Sequence, residues 1–86
     1  MRLFIMLFSL LSIGAHAGAT CEAHPKSEWA SETTLKQTLE EEGYTIKKFK
    51  VDGNCYEIYG RNKAGEKVEI YFDTKTLTIV KAEVER

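Results

Sequence analysis

The spacing of apolar residues changes character three times along the chain, and each change predicts a different kind of element. From Leu3 to Phe8 the apolar run is unbroken, with Leu10, Leu11 and Ile13 following. From Gly18 to Lys26 there is no period, and the only proline, Pro25, falls here, so the stretch reads as an extended lead-in. Between Ser31 and Gly43, Leu35 and Leu39 stand four apart while Lys36, Gln37, Glu40 and Glu41 surround them, which is the apolar stripe of an amphipathic helix. Ser31 suits the N-cap, Glu32 puts a negative charge in the first turn, Ala30 and Leu35 make a weak hydrophobic staple, and Gly43 suits the residue just past the end. A helix of about eleven residues does not persist alone in water and must dock on something.

Period two takes over in the second half. Tyr56, Ile58 and Gly60 alternate with Glu57, Tyr59 and Arg61, and Val68, Ile70 and Phe72 alternate with Lys67, Glu69 and Tyr71. Between them Asn62-Lys63-Ala64-Gly65 suits a type I turn with Gly65 left-handed, which sets Ile58 opposite Ile70 and Tyr56 opposite Phe72. An earlier strand, Tyr44 to Val51, leads through Asp52-Gly53 into this hairpin, but its parity switches between Ile46 and Phe49. A bulge near Lys47 and Lys48 would bring Tyr44, Ile46, Phe49 and Val51 all to the core, whereas a regular strand would leave Ile46 on the opposite face. A last turn, Asp73 to Thr76, precedes a fourth strand from Leu77 to Ala82 with Leu77 and Ile79 inward. The expected fold is α+β, one N-terminal helix packed on a four-stranded antiparallel meander sheet.

Charge and length add the compartment. Arg2, the apolar run and the small residues of Ala15-His16-Ala17 make residues 1–17 a signal peptide with its cut before Gly18. The run is shorter than the roughly 20 residues a permanent membrane helix needs. The domain is then 18–86, divided into a lead-in (18–30), a helix (31–43) and a sheet (44–82). A domain this small is marginal without a staple. Cys21 and Cys55 permit one bridge in an oxidising compartment; a metal pair or redox couple fits less well, because the spacing is not Cys-x-x-Cys. Without Arg2 the domain holds 11 basic against 13 acidic side chains, which gives neither a nucleic-acid footprint nor a basic membrane patch.

The string Cys21-Glu22-Ala23-His24-Pro25-Lys26-Ser27-Glu28-Trp29, the leucine helix ending Glu42-Gly43-Tyr44, the strand Asp52-Gly53-Asn54-Cys55-Tyr56-Glu57-Ile58-Tyr59-Gly60, and Glu69-Ile70-Tyr71-Phe72-Asp73 together resemble the small secreted PepSY-domain proteins of bacteria. The Cys-x-x-His-Pro lead-in combined with the Gly-x-Cys-Tyr-Glu strand is the most specific part. The resemblance implies a helix on an antiparallel sheet, secretion to the periplasm, and kinship with domains that occur in protease propeptides and restrain peptidases. Related domains often end the last turn with Thr-Gly. Here Leu77 follows Thr76, so that turn is expected to take another conformation.

Candidate chemistry is sparse. The domain has one histidine, His24, and no nucleophile beside a base; Glu40, Glu41 and Glu42 are successive on a helix and point different ways. An enzyme is not expected. Glu22 and His24 offer two metal ligands where three or four are needed, so no metal or cofactor is expected and His24 reads as an exposed lead-in residue. Trp29 is expected to pack across the helix start against the disulfide segment. The open face of the sheet is the richest surface: Tyr59, Tyr71, Val80 and Arg61 stand among Glu57, Lys67 and Glu69, joined by Ile46 if the first strand is regular. Aromatics among charges suit a protein-binding surface, although cross-strand pairing alone would also account for them. The last strand can accept an extended peptide, or Lys81, Glu83 and Glu85 can protect it as an edge. The expected function is therefore a monomeric, non-catalytic periplasmic or secreted module that binds a protein or peptide and restrains a secreted peptidase, with no nucleic-acid partner. Alternatives are an envelope sensor of a small molecule or metal ion, and a structural envelope protein with no discrete ligand.

Overall fold

A computed structural model describes residues 18–85 of the chain, and the leader assigned to 1–17 lies outside them. One helix, α1 (Glu32–Glu41), precedes four strands, β1 (Thr45–Asp52), β2 (Cys55–Arg61), β3 (Lys67–Asp73) and β4 (Ile79–Glu85). The strands form one antiparallel sheet in the order β1-β2-β3-β4, so the fold is α+β. The helix does not open the described chain: a lead-in containing a short 3-10 turn, Lys26–Glu28, comes first.

Local chemistry accounts for the helix ends. Ser31 Oγ accepts the Thr34 backbone N–H at 3.0 Å. At the other end Gly43 takes φ +98, and the N–H groups of Gly43 and Tyr44 return to the carbonyls of Glu40 and Leu39 at 3.1 and 3.0 Å, a Schellman closure that uses otherwise orphaned acceptors. The buried stripe is Leu35 and Leu39, which meet Tyr56, Ile58, Val68, Ile70 and Phe72 of the sheet. Burial of each leucine contributes roughly 1.5 to 3 kcal/mol, and this docking is what an isolated ten-residue helix lacks.

Tyr56 faces Phe72 and Ile58 faces Ile70, with Gly65 at φ +87 in the connecting turn, as the alternation predicts. In β1 the bulged alternative holds. Ile46 pairs with Gly60 and Lys48 with Tyr59, leaving Lys47 as the extra residue. Tyr44, Ile46 and Phe49 therefore pack against the helix-side core and Ile46 does not join the far face, while Val51, expected inward with them, stays 50% exposed. Gly60 makes this possible, because a Cβ there would lie 2.0 Å from the Thr45 carbonyl oxygen.

Three expectations are corrected. The last strand starts at Ile79 and runs to Glu85 rather than from Leu77 to Ala82. The cause is the Asp73 carboxylate, whose Oδ2 accepts the N–H groups of Lys75 and Thr76 at 2.9 and 2.8 Å, winding the chain into a longer turn closed by Leu77 N–H to Asp73 O at 2.9 Å. Leu77, expected to force a different conformation, itself takes the left-handed one at φ +62, and its side chain packs at the core margin. Trp29, expected against the disulfide segment, packs edge-on against Tyr56 on the helix side of the sheet, with centroids 5.5 Å apart, and meets that segment through its indole N–H, which donates to the His24 carbonyl.

Candidate functional site

Parity places the far face. Cys55, Glu57 and Tyr59 alternate with the core residues of β2, so they point away from α1, and their cross-strand partners are Asp73, Tyr71 and Glu69. The Cys21–Cys55 disulfide, with Cα atoms 5.4 Å apart, therefore draws the lead-in across this face. The Ala19 carbonyl comes within 3.6 Å of the Cys55 sulfur, the Gly18 carbonyl within 3.5 Å of Lys81 Nζ, and Ala19 packs on a small second cluster of Cys21, Cys55 and Tyr71.

A second clasp holds the lead-in further along. His24 Nε2 lies 2.9 Å from Asp73 Oδ1, and the Trp29 indole N–H donates to the His24 carbonyl at 2.9 Å. His24 is thus not a free lead-in residue; only 11% of its side chain is exposed. The N–H of Thr76 foremost, with His24 and Lys75 behind it, holds the Asp73 carboxyl down at about 2 against the opposing effect of burial. Glu22 lies 3.8 Å from the same imidazole nitrogen, so Glu22, His24 and Asp73 present ligand atoms within 4.8 Å of one another. Asp73 adds to the Glu22–His24 pair a third side chain of ligating type, which the sequence reading did not supply.

Beneath the lead-in, Glu57 is 1% exposed and Tyr71 6%. Burial, then a hydrogen bond shared with Glu69, pushes the Glu57 carboxyl above the usual carboxylate range. The same interaction, foremost, pushes the Glu69 carboxyl down. Tyr71 donates to Glu69 Oε2 at 2.9 Å, and burial followed by that carboxylate raises its phenol. The hydrogen bond to Glu57 foremost raises the Tyr59 phenol. Among the described residues Glu57 Oε1 has no hydrogen-bond partner, and Lys50 Nζ stands 3.8 Å from it.

Beyond the lead-in no described segment crosses the same face. Lys48, Tyr59, Glu69 and Glu83 make one cross-strand row, and Thr45, Arg61, Lys67 and Glu85 the next. Lysines flank Tyr59 on the β1 side, with Lys48 and Lys50 Nζ each 6.0 Å from its ring centroid, and acids close the β4 side. A depression of about 960 Å³ lies at this end of the sheet, lined by Tyr59, Arg61, Glu69 and Glu83 of this face and also by Ile46, Val68 and Val84, whose row has the opposite parity.

A family model described as peptidase propeptide and YPEB domain matches residues 2–83. The chain belongs to the peptidase propeptide and YPEB domain family. No curated protein and no solved structure matches it. In this member of the family the residues expected at a binding face are divided. Tyr59 and Arg61 line the depression, with Arg61 exposed and donating to the Gly65 carbonyl at 2.8 Å. Tyr71 is buried under the lead-in rather than displayed. Val80 is the bulge residue of β4, skipped between the Tyr71–Lys81 and Phe72–Ile79 pairs, so it does not extend the Tyr59 row. Among the described residues no helix is long and apolar enough to cross a membrane.

Proposed function

We propose that this peptidase propeptide and YPEB domain protein is a non-catalytic, exported module that restrains a peptidase by seating part of it on the open half of the far face. The observation that carries this reading is the Tyr59–Arg61 depression, which no described residue fills and whose lining sets an aromatic among the bases Lys47, Arg61 and Lys67 and the acids Glu69, Glu83 and Glu85. Such a surface offers apolar area and oriented charge to a partner, and membership of a family described by peptidase propeptides supports a peptidase as that partner. The test is affinity capture from periplasmic extract with the oxidised protein as bait and a Tyr59→Ala, Arg61→Ala variant as control. Loss of a peptidase from the variant's captured set supports the assignment, and identical sets from both baits remove the face from consideration.

A second reading, an envelope metal sensor, rests on Asp73 joining Glu22 and His24. Tetrahedral ligands at zinc bond lengths of about 2.0 to 2.2 Å stand about 3.3 to 3.6 Å apart, between the 2.9 and 3.8 Å that separate His24 Nε2 from Asp73 and Glu22 here. Calorimetric titration with zinc and copper decides it: binding that disappears in His24→Ala promotes the sensor, and absence of heat retires it.

A further inference from the structure

The large apolar side chains left exposed among the described residues are Val51, Ile79, Val80 and Val84, and three of these belong to β4. Among the described residues that strand pairs with β3 alone and forms an edge of the sheet, the position at which another strand can add. Its central sequence is Val80-Lys81-Ala82-Glu83-Val84. Read backwards it places valine where valine stood and exchanges lysine for glutamate, so the strand is complementary in charge and in apolarity to an antiparallel copy of itself.

We propose that β4 pairs with β4 of a second copy, antiparallel about a two-fold axis at Ala82. Three two-fold registers lie near the strand centre. Those centred on Lys81 or Glu83 set a charge against its own kind, which is destabilising in directly opposed pairs. Centring on Ala82 sets Lys81 against Glu83 of the second copy and Glu83 against its Lys81, with Val80 and Val84 opposed on the other side. Lys81 and Glu83 already share one face, 3.5 Å apart within the strand, and Lys81 Nζ also meets the Gly18 carbonyl at 3.5 Å, so pairing has each side chain exchange its present contacts for those of the facing strand. The contact joins two four-stranded sheets into one of eight, an isologous arrangement that closes on itself. One seven-residue strand per copy falls short of the roughly 1,000 Å² of a stable interface, so the dimer is weak and concentration-dependent. This departs from the monomer expected of a charge-protected edge.

The test is sedimentation equilibrium of the oxidised protein over a concentration series reaching the millimolar range, with circular dichroism melting to confirm that each variant folds. The wild type is expected to dimerise. Lys81→Glu and Glu83→Lys alone should each weaken self-association about tenfold or more, because each opposes like charges across the axis. An equimolar mixture of the two variants should associate again, and so should the double variant Lys81→Glu, Glu83→Lys, since both arrangements restore opposite charges at both positions. A wild type that stays monomeric throughout overturns the proposal. So does a dimer indifferent to the single variants, or a mixture no stronger than its components. Tyr59 and Arg61 lie on β2, so peptidase capture is tested separately and can succeed or fail independently.

Discussion

The far face of the sheet has two halves built from the same strands with the same alternation, yet one is interior and the other is surface. At the Cys55 end Glu57 and Tyr71 are nearly inaccessible, while two residues further along β2 Tyr59 is half-buried and Arg61 is exposed. Neither residue type nor strand pattern distinguishes them. What differs is the crossing of residues 18–22, held by the disulfide and by the His24–Asp73 contact. A short irregular segment with two fixed points thus does for half a face what a second helix does elsewhere, and it confines any partner to the remaining half.

The most severe way to break this difference is to remove the bridge. Closing a 34-residue separation contributes about 3 to 4 kcal/mol in the chain-entropy model, so reduction, or the Cys21→Ser, Cys55→Ser variant, should lower the melting temperature by more than about 10 °C. Hydrogen exchange should then show the N–H groups around Glu57 and Tyr71 losing protection before those of the α1 contacts. The reduced protein and the serine variant should melt alike.

Truncating one tyrosine in each half sharpens the contrast. Tyr71→Ala should cost about 2 to 4 kcal/mol, as a buried aromatic does, whereas Tyr59→Ala should cost under about 1 kcal/mol. Urea denaturation measures both, and equal losses would mean that the halves are equally buried.

Acid titration probes the clasp. The Asp73 carboxyl is depressed to about 2, so its contribution is fully present above the unfolded value near 3.9 and is lost as pH falls towards 2, about 2 kcal/mol in all. Glu57 is raised and acts with the opposite sign: its contribution is present below the unfolded value near 4.3 and fades as pH rises through its folded one. Stability should therefore peak in mild acid. Asp73→Asn should flatten the acid limb and Glu57→Gln the limb above it, each followed by thermal melting against pH.

The smallest effect belongs to Leu77. A left-handed φ costs a leucine roughly 1 to 2 kcal/mol, and glycine would relieve that while losing the side chain's packing at the core margin. Leu77→Gly should fall within about 1 kcal/mol of wild type by the same denaturation measurement.

Much of the fold was legible because its signals are local. Ser31 and Gly43 mark the helix ends, and Gly65 together with the alternating runs sets the β2–β3 register. The β1 parity could not be settled by hydrophobic pattern alone, yet a signal existed in Gly60, since an isolated glycine in a strand marks a bulge or a close backbone approach. The start of β4 was missed because an aspartate that captures two backbone N–H groups lengthens its turn at no cost in apolar pattern. The covered half was also readable in principle: Cys55 shares parity with Glu57 and Tyr59, so a bridge to Cys21 has to pass over that face. The His24–Asp73 contact spans 49 residues and has no signature along the chain.

Gly60 sets a rule for anyone wishing to retune the depression. Thr45 passes so near that even a methyl group has no room, while Tyr59 and Arg61 on either side line the cavity. A display library built on β2 can vary both neighbours freely, but the position between them has to stay a hydrogen atom. New specificities must therefore be drawn from alternate residues of the strand rather than from a continuous stretch.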